Sequence, residues 1–494
     1  MNVAESIFKE LSKFTSSIYG NPGTTEISFL KYLPRDFRYF LTLHDGLAIG
    51  MASGNSLLSG KIGVTNTHAA PGLMNSLGYV YSARLDRTPV LLLVGQQSTS
   101  HLLDEPILTV DLRNVPYVKD VIEIRRKEEV AKAMIRSVKT AISHPPGPVI
   151  VGLPYDIAEE EVGASNDITS ETGRINLNSP CDPFDVEMVA EEINIAKQIA
   201  VVAGYEIDIT DAHDEALELA KKVGSPVFAE PHFSRSPCSH IDIILPRSAS
   251  GINRLLGQYD LILLLGGTLH NVLYMDQEFR WSKIIQVTMD PEEKSKRLWR
   301  TIICNPKDFL KLILLKVNEK RTSYQGKTTS QDRSVVEIME YLTSKLDNYA
   351  IFEETPSYKE AVKRVVGTRK RLFFSNRSGF LGWALPASLG YITAGGKAVT
   401  LIGDGSFHFS PQALWTASQY DLEMRVLVLN NNGYESLRGR ADYQANFFNP
   451  RTFPLRIAEA YGFETFETGN FRDGIDWLME RRGKRRVLEV TLDH

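Results

Sequence analysis

Cysteine is scarce in this chain, with three in 494 residues at Cys181, Cys238 and Cys304. An odd number without metal-ligand spacing excludes a zinc ribbon or a disulfide scaffold, so reduced thiols in a cytoplasmic protein are expected. Long apolar runs are missing too. No stretch reaches the roughly 18 residues that cross a bilayer, which argues against a membrane partner. The first residues, MNVAESIFKELSKF, lack the basic start and apolar core of a secretion signal. Val3, Ile7, Phe8, Leu11 and Phe14 recur there at helical spacing and predict an amphipathic helix. Neither sign of charge prevails: 56 Lys and Arg against 60 Asp and Glu give a net charge of -4, with no footing for nucleic acid. A GxGxxG turn is absent where a dinucleotide fold would carry it. VVAGYEID (201–208) has one glycine, so no dinucleotide is expected there.

Short apolar runs that end in glycine are abundant. TPVLLLVG (88–95), GPVIVGLP (147–154), KQIAVVAG (197–204), YDLILLLGG (259–267), KAVTLIGDG (397–405) and MRVLVLNNNG (424–433) alternate with helical patterns. Near-continuous apolar strands are buried on both faces, so an α/β chain of three doubly wound parallel-sheet domains is predicted. Polar, residue-poor stretches divide it into 1–160, a linker at 161–184, a central domain at 185–317, a linker at 318–334 and a last domain at 335–494.

The segment 399–434, VTLIGDGSFHFSPQALWTASQYDLEMRVLVLNNNGY, is the most informative. One strand ends in Gly403, Asp404, Gly405 and Ser406, and the next ends in Asn430, Asn431, Asn432 and Gly433. Both ends lie at the carboxyl edge of a parallel sheet, where ligands bind. Asp404 and Asn431 supply a carboxylate and an amide oxygen, and a loop carbonyl completes an all-oxygen set suited to Mg²⁺. Magnesium shares its coordination with substrate phosphates, so a diphosphate is implied, cradled by the glycine loop and a helix start after Ser406. A bare GDG is a common turn; the whole strand–GDGS–helix–strand–NN unit is far more specific.

That unit resembles the signature of the thiamin diphosphate enzymes, and YGNPGTTEISFL (19–30), VTNTHAAPG (64–72), EETPS (353–357) and SGFLGWALPASLG (378–390) are similar to its benzoylformate decarboxylase branch. The resemblance runs through nearly the whole chain in the order pyrimidine-binding, central, diphosphate-binding. It implies thiamin diphosphate and Mg²⁺ as cofactors, the metal held by Asp404, Asn431 and the backbone of Gly433. It assigns the cofactor pocket to Asp45, Thr355, Gly379, Leu381, Gly403, Gly405, Ser406, Asn431 and Tyr434, with Leu381 as the bulky residue that bends the cofactor. Thr24 and His68 match substrate-facing positions, His68 as the proton carrier. It also implies a homo-oligomer, a dimer at least and a tetramer by preference.

LTLHDGLAIGMASG (41–54) departs from the family pattern. Asp45 stands where the family's glutamate hydrogen-bonds the aminopyrimidine and promotes ylid formation. Alone, Asp45 reads as a helix N-cap. In the glutamate's place it is shorter by one methylene, so the strand moves inward, a water bridges, or activation is slow. Leu273 takes the place of a second active-site histidine, with His270 three residues away. His44 and His408 have no assigned role, and Glu435 is added near the substrate side. The implied reaction is non-oxidative decarboxylation of a small 2-oxo acid through ylid and enamine. The alternatives are carboligation, as in acetolactate synthases, or a weakly active or non-catalytic cofactor-binding paralogue.

Overall fold

A computed structural model of the protein describes residues 1–162, 179–279, 283–293, 300–320, 333–434, 436–437 and 448–492. Most of both predicted linkers falls outside the described residues. The N-terminal helix forms over Val3–Leu11, closed by a reciprocal cap in which Asn2 Oδ1 accepts the Glu5 N–H and Glu5 accepts the Asn2 N–H.

The strands assemble into three six-stranded parallel sheets. The first contains β1 (Ser17–Gly20), β2 (Arg38–Leu41), β3 (Gly63–Thr67), β4 (Val90–Gln96), β5 (Asp120–Glu123) and β6 (Val149–Pro154), in the order β2-β1-β3-β4-β6-β5. The second contains β7 (Ile199–Ala203), β8 (Val227–Ala229), β9 (Ile243–Ile244), β10 (Leu261–Leu265), β11 (Ile284–Thr288) and β12 (Arg300–Ile303), in the order β12-β11-β10-β7-β8-β9. The third contains β13 (Tyr349–Glu354), β14 (Phe373–Ser375), β15 (Lys397–Gly403), β16 (Met424–Asn430), β17 (Glu464–Thr468) and β18 (Arg485–Thr491), in the order β14-β13-β15-β16-β18-β17. The first and third sheets thus share one topology. The central sheet has the dinucleotide-fold order.

Pleating explains the apolar runs. In β4, Val90, Leu92 and Val94 enter one core cluster while Leu91 and Leu93 enter another on the opposite face. In β10, Leu261, Leu263 and Leu265 face one cluster and Ile262 and Leu264 the other. A strand buried on both sides has no polar alternation to display.

The chain forms two compact units. One comprises Met1–Asn176, Glu354–Ser357 and Ser378–His494; the other comprises Leu177–Glu353 and Tyr358–Arg377. In the first, helix Asp45–Ser59 crosses helix Ala384–Thr393 at very close range. Added Cβ atoms at Gly54 and Gly390 would lie well under 3.0 Å from the carbonyl oxygens of Ala387 and Met51. One core therefore holds Leu47, Ala48 and Met51 together with Leu385, Leu389 and Ile402.

In the second unit, carboxylates fill the carboxyl edge of the central sheet. Glu230 accepts the Tyr205 N–H at 2.8 Å and the Thr268 N–H at 2.7 Å, the amides that follow the two glycine turns. Glu206 accepts the Met289 N–H at 2.9 Å and the Thr288 hydroxyl at 2.8 Å. Burial nevertheless pushes the Glu206 carboxyl up to about 8 from an ordinary 4.5. An acid so raised keeps its proton in the folded state after the unfolded chain has released it, so stability falls as pH rises between those two values. Calorimetry of wild type and Glu206→Gln should give a melting temperature that drops from pH 5 to 8 in the former and is flatter in the latter; equal slopes would contradict the assignment.

The expectation of reduced thiols is overturned. Cys181 and Cys304, 123 residues apart, are disulfide-bonded with Cα atoms 5.0 Å apart, while Cys238 is free and buried. The Asn305 N–H donates to Ser179 O, which lays the segment leading into helix Pro183–Ile195 along the end of β12. Sequence spacing carries no trace of a pairing made by such a strand-end encounter. Thiol titration of protein unfolded under alkylating conditions should count one free cysteine; a count of three would mean the bond is absent.

Candidate active site

β2 delivers the chain to His44, whose extended backbone and Nδ1, accepting the Gly46 N–H at 3.1 Å, cap helix Asp45–Ser59. The cap is therefore His44, and Asp45 is the first helical residue. The reason is backbone angle: the capping position must be non-helical, and that residue is His44. Asp45 is buried at 5% exposure, and its Oδ1 accepts the His68 N–H at 3.1 Å. Gly72 leaves the room for that carboxylate, since a Cβ there would overlap Oδ1.

His68 follows β3, and its ring is about a quarter exposed. Its Nδ1 lies 2.8 Å from Glu26 Oε2, and Glu26 is fully buried. The same carboxylate accepts the Gly23 N–H at 2.9 Å, the Thr25 hydroxyl at 2.7 Å, the Gly95 N–H at 3.1 Å and the Ala69 N–H at 3.3 Å. Gly23 passes directly against the imidazole, where any Cβ would collide with the ring. With Nδ1 committed to a carboxylate, Nε2 is the nitrogen left for chemistry. Glu26 escaped the sequence reading because nothing in GNPGTTE separates a buried carboxylate from a helix-start residue. Thr24 is exposed in the same turn.

The second cluster lies at the ends of β15 and β16, held level by the pairing of Gly403 with Leu429. Asp404 is buried at 3% exposure, and burial raises its carboxyl against hydrogen bonds from the Thr452 hydroxyl, at 3.0 Å, and the backbone of Gly405 and Asn431. The expected helix start after Ser406 is shifted: a single turn spans Asp404–Phe407, with Gly403 as its extended cap. The physical reason is that the glycine is the last residue with strand geometry. Ser406, Asn431 and Gly433 are buried. Asn430 is structural, its Nδ2 donating to Glu489 Oε1 at 2.6 Å and its Oδ1 accepting the Asn432 N–H at 2.8 Å. The Tyr434 ring lies over Gly405, where a Cβ would come within 2.8 Å of it. Gly405, Tyr434, His408 and Thr452 line an open cleft of about 460 Å³. His408 Nε2 accepts the Phe453 N–H at 3.2 Å, so this histidine holds the segment that carries Thr452. A buried carboxylate, an amide oxygen and a loop carbonyl on neighbouring strand ends suit a hard cation. Among the described residues no three His, Cys, Asp or Glu converge as a metal set.

A third element is the 378–383 turn. Gly379 and Gly382 have φ of 72° and 96°, conformations that side chains resist, and Leu381 between them is half-buried. Glu354 clamps the turn by accepting the Gly382 N–H at 2.7 Å and the Ala384 N–H at 2.8 Å, and Tyr79 donates to Gly382 O at 3.0 Å. Both residues were missed; Thr355, next to Glu354, is buried. His270 and Leu273 belong to the other unit, with Leu273 exposed and His270 edge-on to Phe279. Glu435 lies outside the described residues. The structure thus brings Asp45 and His68 together and Asp404 and Asn431 together. The hydrogen bonds described for Asp45, His68 and Glu26 all run within residues 23–95.

Family models match in three consecutive places: thiamine pyrophosphate enzyme, N-terminal TPP binding domain, at residues 1–115; its central domain at 186–313; and its C-terminal TPP binding domain at 358–485. Benzoylformate decarboxylase of Pseudomonas aeruginosa is 29% identical over 449 residues, covering 86% of this chain and 84% of that protein. A probable acetolactate synthase large subunit of Methanocaldococcus jannaschii is 25% identical over 515 residues, covering 94% and 85%. The crystal structure of benzoylformate decarboxylase from Polynucleobacter necessarius superposes with a TM-score of 0.91 at 26% identity, covering 100% of this chain and 99% of the other. The chain belongs to the thiamine pyrophosphate enzyme family, in the branch of benzoylformate decarboxylases and acetolactate synthases.

Proposed function

We propose that the protein is a thiamin diphosphate- and Mg²⁺-dependent carbon–carbon lyase that decarboxylates a small 2-oxo acid without oxidation. The observation that carries this reading is the Glu26–His68–Asp45 assembly, in which one buried carboxylate orients an imidazole and a second accepts that residue's own N–H. Asp404, Asn431 and Gly433 would hold the metal, and Gly403, Gly405, Ser406 and Tyr434 the diphosphate. Thr355, Gly379 and Leu381 would line the cofactor's middle, with Asp45 at its aminopyrimidine. When bound, thiamin diphosphate supplies the electron sink that a 2-oxo acid needs to release CO₂. His68 would deliver or remove a proton at the substrate through Nε2, and Thr24 would hydrogen-bond the substrate from its exposed turn.

The reading includes a homo-oligomer, a dimer at least and a tetramer by preference. Support comes from exposed apolar residues in the first domain, with Leu103 at 95% and Ile107 at 85% exposure. Sedimentation tests it. It also includes a cytoplasmic location. No helix among the described residues is long and apolar enough to cross a membrane, while a disulfide such as Cys181–Cys304 is rare in mesophilic cytoplasm.

The deciding assay supplies thiamin diphosphate, MgCl₂ and a panel of aryl and alkyl 2-oxo acids, and quantifies CO₂, aldehyde and acyloin. Aldehyde equal to CO₂ supports the proposal. A 2-hydroxy-3-oxo acid (one CO₂ per two acids consumed) or an acyloin in place of aldehyde favours the ligase reading, for which the acetolactate synthase match over 94% of the chain is the specific support. Cofactor binding without CO₂ from any acid would leave a non-catalytic paralogue.

A further inference from the structure

Helix Lys359–Val366 begins with a lysine, at the end of the helix where the dipole disfavours a cation. One turn later on the same face stands Lys363, 2% exposed, its Nζ donating to Phe233 O and lying 4.2 Å over the Phe233 ring. Lys359, Lys363, Arg247 and His232 converge on the walls of one small, half-open cleft. Burial, and then Lys359 and Arg247 beside it, hold the Lys363 amine well below the ordinary lysine range, while Lys359 also donates to Asn376 O at 3.1 Å. Glu360 also lines the cleft, 3.9 Å from Arg364 on its own helix. Two deeper carboxylates, Glu353 and Glu230, pull on Lys363; Glu353 accepts the Ser375 hydroxyl at 2.7 Å, and Glu230 spends its oxygens on the Tyr205 and Thr268 amides.

His232 adds an independent sign. It follows β8 with φ of 54°, in the left-handed region that a non-glycine residue occupies at a cost. Its Nε2 is buried without a hydrogen-bond partner. Burial, together with Lys359, Lys363, Arg247 and Arg377, pushes the imidazole down to about 2, so the ring is neutral and Nε2 carries its hydrogen or its lone pair according to what enters.

We propose that this cleft in the unit of the central domain binds a compact phosphoryl oxyanion, held by Lys359, Lys363 and Arg247 and hydrogen-bonded by His232. An oxyanion accepts from several donors at once and cancels the repulsion among the cations. The ligand would be a single phosphoryl group, either free orthophosphate or the terminal group of a larger molecule whose remainder stays in solvent.

The test uses protein saturated with thiamin diphosphate and Mg²⁺, so that the cofactor's diphosphate site is filled. Orthophosphate is titrated calorimetrically against chloride at constant ionic strength, with a nucleoside monophosphate as a parallel probe. One saturable site is expected, weakened about 10- to 150-fold by Lys359→Met and by Arg247→Met, the range of one charged hydrogen bond. Both residues are half-buried, so these variants keep the fold if Lys363→Met does not. Tighter nucleotide binding would identify a larger donor, and equal binding would identify free phosphate. No saturable site, or affinity unchanged in both variants, overturns the proposal. The outcome is independent of which 2-oxo acid is turned over.

Discussion

Glu26→Gln should lower kcat about 10- to 150-fold while the protein still folds and binds cofactor. The carboxylate receives five donors: the amides of Gly23, Ala69 and Gly95, the Thr25 hydroxyl and the His68 ring. An amide of the same shape must turn its NH₂ towards donors on one side or the other, and it carries no charge to fix the imidazole. The loss of one hydrogen bond to a charged group, about 1.5–3 kcal/mol, sets the magnitude. His68→Ala removes the proposed proton carrier, for an expected loss of about 10²–10⁴-fold. If Glu26 only supported the turn, Glu26→Gln would depress melting temperature and leave kcat intact, so both must be measured. A kcat equal to wild type would remove Glu26 from the account.

The largest structural effect is expected at the helix crossing. Gly54→Ala and Gly390→Ala each place a methyl against a backbone carbonyl of the opposing helix, at separations that real side chains do not adopt. Backbone cannot yield as a flexible side chain does, so helices Asp45–Ser59 and Ala384–Thr393 would have to separate. Overpacking alone costs about 1–3 kcal/mol, and here it also opens the shared core, which places these variants in the rare class above about 4 kcal/mol. Little soluble protein should be recovered from either. Gly469→Ala is the control, since a Cβ there meets nothing within 4 Å. Wild-type melting temperature in Gly54→Ala would mean that the close crossing is wrong. Because Asp45 begins the first of these helices, a milder change in the crossing would also move the candidate catalytic carboxylate.

How much of this was legible follows from what each signal depends on. Strands such as Val90–Gln96 and Leu261–Leu265 were readable because burial on both faces leaves a continuous apolar run. The Asp404 and Asn431 pair was readable because both sit one residue past such a run. His44 and Asp45 were confused because either side chain can cap a helix, and the choice depends on backbone angles that composition does not encode. Glu26 and Glu354 look like surface glutamates in sequence; their roles come from backbone amides brought to them by other strands and turns. The Cys181–Cys304 bond and the cluster of His232, Arg247, Lys359 and Lys363 likewise join residues more than a hundred positions apart.

The central claim is that Asp45 does the work of the family's longer carboxylate. Hydrogen–deuterium exchange at C2 of thiamin diphosphate, followed by quenched-flow NMR on the protein with Mg²⁺, tests it without a substrate. Exchange faster than in free cofactor by orders of magnitude, lost in Asp45→Ala, is the predicted result. Tight cofactor binding with exchange no faster than in solution would contradict it.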